Sequence, residues 1–283
     1  MKESEKRKTS RKGVRVLNLF LFLLFVMLLL SLFADRIAAF LLFHPWKPNA
    51  DWQPTTPNSE SVRFPTADGS LLDAIYFPCE HPKGIVLYSH GNGDTLKNLE
   101  PIADFYRKEF QISILIYDYR GYGRSGGKPT ASGILEDGRA ARKWLARREQ
   151  IDMSEIIQMG FSLGGAVAVD LASQDGAKGL ILQSTFTSLP DMASRMFPFL
   201  PARLLLHQQL DSVKKIRQYK GPLLLSHGSA DGTVPYQQGQ KLYLTAGGSK
   251  TLYTVENGSH FPPGDREYFD LVRRFLRDLG NIP

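Results

Sequence analysis

The sequence predicts one α/β domain: a mostly parallel, doubly wound sheet opened by an antiparallel hairpin and preceded by a single transmembrane helix. Three observations carry this. Short apolar runs alternate with helical patterns from about residue 61 to the C-terminus, as strands buried on both faces require. An Asp68-Gly69 pair separates the first two runs, a hairpin signal. A 19-residue apolar stretch, Val16 to Ala34, stands apart from all of them.

The N-terminus comes first. Residues 1–15 hold seven Lys/Arg and two acids, a net of +5. The apolar stretch that follows is interrupted only by Asn18 and Ser31. As a helix it would span roughly 28 Å, close to the thickness of a bilayer core. A cleaved signal peptide usually has a shorter apolar region and a small-x-small site. Ala34 and Ala39 are preceded at the decisive position by Leu32 and Ile37. A signal anchor over 16–34 is therefore favoured over a cleaved signal or a buried core helix. The positive-inside rule puts 1–15 in the cytoplasm and the rest on the far side, periplasmic or lumenal. Ile37 to Phe43, Trp46 and Trp52 fit either an interfacial collar or aromatics packed on the domain. Residues 35–60 carry Pro45, Pro48, Pro54 and Pro57 and read as a stiff linker.

The domain covers 61–283. Val62–Thr66 and Leu71–Phe77 form the hairpin. Gly84–His90 reads as a buried strand, Leu96–Phe110 as a helix, and Ile112–Asp118 as another buried strand. Ile134–Arg148 is a helix whose early Glu136 and Asp137 and late Arg142, Lys143, Arg147 and Arg148 suit its dipole. Ile156–Gly160 is a strand and Leu163–Ser173 a helix. Leu180–Ser184, Leu223–His227 and Leu252–Val255 are further strands, and Asp265–Leu279 closes the chain as a helix. Between two strands lies the segment 189–217. Its Met192, Met196, Phe197, Phe199 and Leu200 read as the buried face of one or two helices, with an apolar entrance as the alternative.

Composition removes several functions. A single cysteine, Cys79, excludes an internal disulfide and a four-cysteine zinc site. The net charge of +7 suggests nucleic acid, but beyond residue 15 there are 28 basic and 26 acidic residues. The excess belongs to the tail and not to a folded basic face, so no nucleic-acid partner is expected.

Chemistry centres on Gly160-Phe161-Ser162-Leu163-Gly164-Gly165, a G-x-S-x-G element between a strand and a helix. So sharp a turn leaves no room for a Cβ at 160 or 164. It would hold the Ser162 hydroxyl at a helix N-terminus as a nucleophile. A serine hydroxyl needs a base. Of six histidines, His260 lies in a loop after the last strand, where the carboxyl edge of the sheet would gather it with Ser162. His90 and His227 precede glycines at strand ends and suit structural hydrogen bonds. Asp231 follows the strand ending near His227 and is the candidate orienting acid, ahead of Asp211 and Asp265. The order Ser162, Asp231, His260 is one in which such triads occur, and with the strand-end position it strengthens the Asp231 assignment. Leu163 N–H and a backbone N–H of His90-Gly91-Asn92-Gly93-Asp94, that of Asn92, would receive the oxyanion. The loop lacks the Gly-Lys-Ser/Thr ending of a phosphate loop.

These segments resemble the α/β-hydrolases over about residues 60–280. His90-Gly91-Asn92, Asp118-Tyr119-Arg120-Gly121-Tyr122-Gly123-Arg124-Ser125, the Ser162 element, His227 to Pro235 and Gly258-Ser259-His260 stand in that family's order. The nearest likeness is to the ABHD-type branch with one N-terminal anchor. The resemblance implies a Ser162-His260-Asp231 triad, Asn92 and Leu163 at the oxyanion, structural roles for Asp118 and Arg120, and a small cap over 189–217. Gly93-Asp94 departs from a small residue followed by Asn. The expected activity is hydrolysis of a carboxylic ester, thioesters and lipid esters included, through an acyl-enzyme and without metal or cofactor. Peptide hydrolysis or acyl transfer by the same triad is one rival, and a non-catalytic binding protein on the same fold is another.

Overall fold

The computed structural model describes residues 14–29, 32, 43–46, 52–199, 201–206 and 210–280. Eight strands form one sheet among these residues, in the order β1-β2-β4-β3-β5-β6-β7-β8. β1 (Glu60–Pro65) and β2 (Leu71–Phe77) are the hairpin, joined through the Asp68-Gly69 turn with Gly69 at φ 83°. β2 also pairs antiparallel with β4 (Ser113–Tyr117). All remaining pairs are parallel: β3 (Ile85–Ser89), β5 (Ile157–Phe161), β6 (Leu180–Gln183), β7 (Leu223–Gly228) and β8 (Lys250–Val255).

Helices cover both faces, which is why the central strands are buried and mostly apolar. We number the helical residues 14–29 as α1. α2 (Leu96–Phe110) and α9 (Arg266–Gly280) pack over Val86, Ile114, Ile116 and Met159. On the opposite face α3 (Ala131–Glu149) and α4 (Leu163–Asp175) cover Leu87, Leu115 and Tyr117. The segment between β6 and β7 holds α5 (Leu189–Met196), α6 (Ala202–Leu205) and α7 (Ser212–Ile216). α8 (Tyr236–Thr245), absent from the sequence reading, follows β7. Its polar residues Tyr236, Gln237, Gln238 and Gln240 hide the helical pattern, and only Gly239 and Leu242 are buried.

Of the anchor expected over 16–34, residues 16–29 and 32 are described, as helix, and the rest lies outside the described residues. Among the described residues no helix is long and apolar enough to cross a membrane. Part of the collar, 37–42, lies outside the described residues. Phe43 instead is buried in the core. Trp52 packs beside the α2 face, under the Arg124 guanidinium at 5.4 Å. The stiff linker is docked as well: the N–H groups of Thr55 and Thr56 each donate to Glu100 Oε1 at 2.6 Å.

The cap differs from the favoured reading. Met192 packs on the core, but Met196, Phe197 and Phe199 are exposed, Phe199 almost fully at 97%. Only Leu189 and Pro190 of α5 are buried, so a short helix leaves these side chains pointing away from the core.

Two charges assigned to the α3 dipole serve elsewhere. Asp137 is buried and accepts from Arg120 N at 2.8 Å and Arg120 Nε at 2.9 Å. Arg142 is also buried, and its Nη2 donates to Met153 O at 2.7 Å, Asp175 O at 3.1 Å and Gly176 O at 2.5 Å. It thus closes the C-terminal end of α4, whose carbonyls have no intrahelical partners. Arg142→Met should preserve most of the packing and leave those carbonyls bare. We expect a loss of about 2–4 kcal/mol in urea unfolding. A change under about 0.5 kcal/mol would refute this role.

Candidate active site

The elbow is built by glycine. Ser162 sits at φ 50°, ψ −112° between β5 and α4, a conformation that L-residues adopt only under constraint. Its backbone is held on three sides. Ser162 N donates to Gln183 O at 2.9 Å, while Ser162 O accepts from Gly165 N at 3.0 Å and Thr185 Oγ1 at 2.7 Å. A Cβ on Gly160 would overlap the Gly164 carbonyl, and one on Gly164 would overlap the Ser89 carbonyl.

The parallel register then assembles the site. β3 lies beside β5 with Ser89 opposite Gly160, so the loop after β3 meets the elbow. A Cβ on Gly91 would lie 2.7 Å from the Phe161 ring. The loops after β7 and β8 are laced together by Ser229 N to Val255 O at 2.9 Å and Ala230 N to Gly258 O at 3.0 Å. Gly258 and Ser259 carbonyls lie against Gly228, where any Cβ would overlap them.

These loops bring three predicted side chains together. His260 Nε2 is 3.0 Å from Ser162 Oγ, and His260 Nδ1 is 2.7 Å from Asp231 Oδ2. Asp231 is buried, Ser162 nearly so, and the His260 side chain is 20% exposed. Asp231 Oδ1 accepts from the N–H groups of Thr233 and Val234, both at 2.8 Å. Since Asp231 is an acceptor, Nδ1 carries the proton and Nε2 presents a lone pair to the serine. Asp211 and Asp265 are engaged elsewhere, Asp211 capping α7 and Asp265 accepting from Tyr253 and Tyr268.

Leu163 opens α4 directly after the serine, with its N–H at the unpaired end of the helix. Asn92 is exposed on the β3 loop. Asp118 and Arg120 stand back from the site. Asp118 Oδ1 accepts from Leu96 N at 3.0 Å and so supplies the α2 cap that Thr95 does not. Burial pushes its carboxyl well above the usual range. His90 is fully buried beside Gly91 O at 2.8 Å, and burial lowers it to about 4, so it is neutral. Asp94 is half-buried, and burial raises its carboxyl.

His227 was read as a structural hydrogen bonder, but it also touches the acid. Its Nε2 is 2.9 Å from Val234 O and 3.2 Å from Asp231 Oδ2. A carbonyl can only accept, so Nε2 holds the proton and is shared between the two oxygens. Burial lowers its pKa and keeps the ring neutral. The four-residue spacing of His227 and Asp231 was the available signal, but it has meaning only once the turn folds the two together.

A family model described as serine aminopeptidase, S33, matches residues 80–215. An uncharacterized Mycobacterium tuberculosis protein is 35% identical over 230 residues, spanning 78% of this chain and 80% of its own. Protein bem46 of Schizosaccharomyces pombe is 32% identical over 232 residues, spanning 77% of each chain. The chain belongs to the α/β-hydrolases. An esterase from Pyrococcus furiosus has the same fold, with a TM-score of 0.69, 22% identity, and 84% and 97% of the two chains covered.

The elbow gives the hydrolase a test of its construction. Gly164→Ala forces a methyl into the Ser89 backbone, which cannot move without breaking β3–β5 pairing. We expect destabilisation of at least about 2–3 kcal/mol. An unchanged Tm would refute the close approach.

Proposed function

We propose that this hydrolase is a serine ester hydrolase. The observation that carries the reading is the hydrogen-bonded line from Ser162 Oγ through His260 to buried Asp231. Ser162 Oγ attacks the acyl carbonyl carbon while His260 Nε2 takes its proton. Asp231 holds the imidazole in the required tautomer and offsets the charge it gains. The N–H groups of Leu163 and Asn92 receive the carbonyl oxygen as it becomes an oxyanion. His260 passes the proton to the leaving alkoxide or thiolate. Water, deprotonated by the same nitrogen, then releases the acid from the acyl-enzyme.

The reading extends to location. Val16, Leu19, Phe22 and Phe25 on α1 are each more than half exposed, and seven basic residues precede them. This supports an N-terminal anchor with its tail in the cytoplasm and the catalytic domain periplasmic or lumenal. A yeast relative, 29% identical over 254 residues, is described as a membrane protein. Exposed Met196, Phe197 and Phe199 on the cap favour acyl chains or lipid esters as substrates.

A second reading rests on the family description, which names a serine aminopeptidase. A panel of p-nitrophenyl acyl esters and aminoacyl p-nitroanilides separates the two. We expect ester turnover that rises with acyl length in detergent, and little anilide cleavage. Anilide cleavage exceeding ester cleavage would replace the esterase reading, and a strict preference for acetyl esters would sink the lipid preference.

A further inference from the structure

The oxyanion loop is gripped by a segment that the sequence assigned to a linker. Residues 43–46 follow the apolar N-terminal stretch, and three of the four make specific contacts. Phe43 is buried in the core cluster that contains Tyr119 and Tyr122. Trp46 O accepts from Gly123 N at 3.0 Å, and the Trp46 ring lies 5.9 Å below Lys97 Nζ. Between these two fixed points His44 meets Asn92. His44 N donates to Asn92 Oδ1 at 2.9 Å, and Asn92 Nδ2 is 2.8 Å from His44 Nδ1. The Tyr122 hydroxyl donates to the same Oδ1 at 2.7 Å.

The chemistry fixes the direction of every bond. A backbone N–H can only donate, so the Asn92 atom facing it is the carbonyl oxygen. The amide nitrogen therefore faces the ring, and His44 Nδ1 must accept. Both ends of the Asn92 amide are thus held by chain that precedes the domain. The backbone of the same residue needs that support. It lies between Gly91 and Gly93, Gly93 at φ 86°, and it is exposed. A loop of this kind has little intrinsic preference for one backbone conformation.

We propose that His44 is a positioning residue for the oxyanion hole. It clamps the Asn92 side chain so that the Asn92 N–H keeps its aim at the developing oxyanion. Residues 43–46 then belong to the active site and link it directly to the N-terminal segment. The proposal rests on the ester-hydrolase reading.

The test measures kcat, KM and Tm on p-nitrophenyl butyrate for full-length protein and four variants. His44→Phe keeps a ring and the backbone donor but removes the acceptor. His44→Asn restores an acceptor near the Nδ1 position. Asn92→Ala removes the clamped side chain and leaves the backbone N–H, and the fourth variant combines His44→Phe with Asn92→Ala. We expect His44→Phe to lower kcat about tenfold, less than the roughly hundredfold or greater cost of losing an oxyanion donor itself. KM and Tm should stay near wild type, because His44 is exposed. His44→Asn should recover most of the loss. In the Asn92→Ala background His44→Phe should have no further effect, because its influence passes through that side chain. An unchanged kcat in His44→Phe, an additive loss in the double variant, or a loss fully explained by unfolding would each overturn the proposal. Failure of the ester-hydrolase reading would appear separately, as absent ester turnover in the wild type.

Discussion

Ser162→Ala should lower kcat on p-nitrophenyl esters by about 10⁴–10⁶-fold and leave Tm almost unchanged. The two halves of this expectation have different causes. Turnover depends on Oγ, the atom 3.0 Å from His260 Nε2 and the only nucleophile that the histidine faces in the described site. Stability depends on the backbone, which is pinned by Gln183, Gly165 and Thr185 without help from Oγ. Alanine meets the same steric cost as serine at φ 50°, so the variant inherits the strain and adds none. A fluorophosphonate probe should label the wild type and not the variant. Undiminished turnover in the variant would overturn the nucleophile assignment. Failure to label a folded, ester-cleaving wild type would point to a mouth closed to the probe.

Asp231→Asn is the second large effect, expected at about 10⁴-fold in kcat. The substitution is nearly isosteric and keeps an oxygen for the Thr233 and Val234 amides. The amide nitrogen then takes the Oδ2 position, where His260 Nδ1 and His227 Nε2 both approach. His260 can answer by moving its proton to Nε2, which gives Nδ1 an acceptor lone pair but faces N–H toward the serine. The base is then lost. His227 cannot answer in the same way, because Val234 O still needs its proton. An amide N–H and the His227 N–H are left facing each other, at a cost of about 1–3 kcal/mol in stability. Equilibrium unfolding should detect that loss beside the kinetic one. A kcat within tenfold of wild type would show that Asp231 does not set the tautomer.

Much of the fold was legible because its signals are local. Mostly apolar runs mark the central strands, and all eight strands agree to within two residues at their ends, since a strand buried on both faces leaves little freedom for polar residues. The α2 bounds agree at both ends, Leu96 to Phe110, because apolar periodicity and flanking turns coincide there. α8 was missed because its outer face is polar and its inner face offers only two buried residues. At the site, Ser162, Asp231 and His260 were recoverable from strand-end placement, and the parallel register brings them within hydrogen-bond reach.

By itself, then, the sequence determined the sheet, the elbow glycines and the order of the three polar residues at strand ends, because hydrophobic periodicity and steric exclusion act within a few residues. Tertiary structure alone decided which charges work at a distance. It buried Asp137 against Arg120, turned Arg142 onto the end of another helix, set His227 behind Asp231, and exposed Phe199 on the cap. It also laid His44 against Asn92, 48 positions along the chain. Each of these depends on two segments meeting in space, and a polar side chain carries no mark in the sequence of the partner that burial will require it to find.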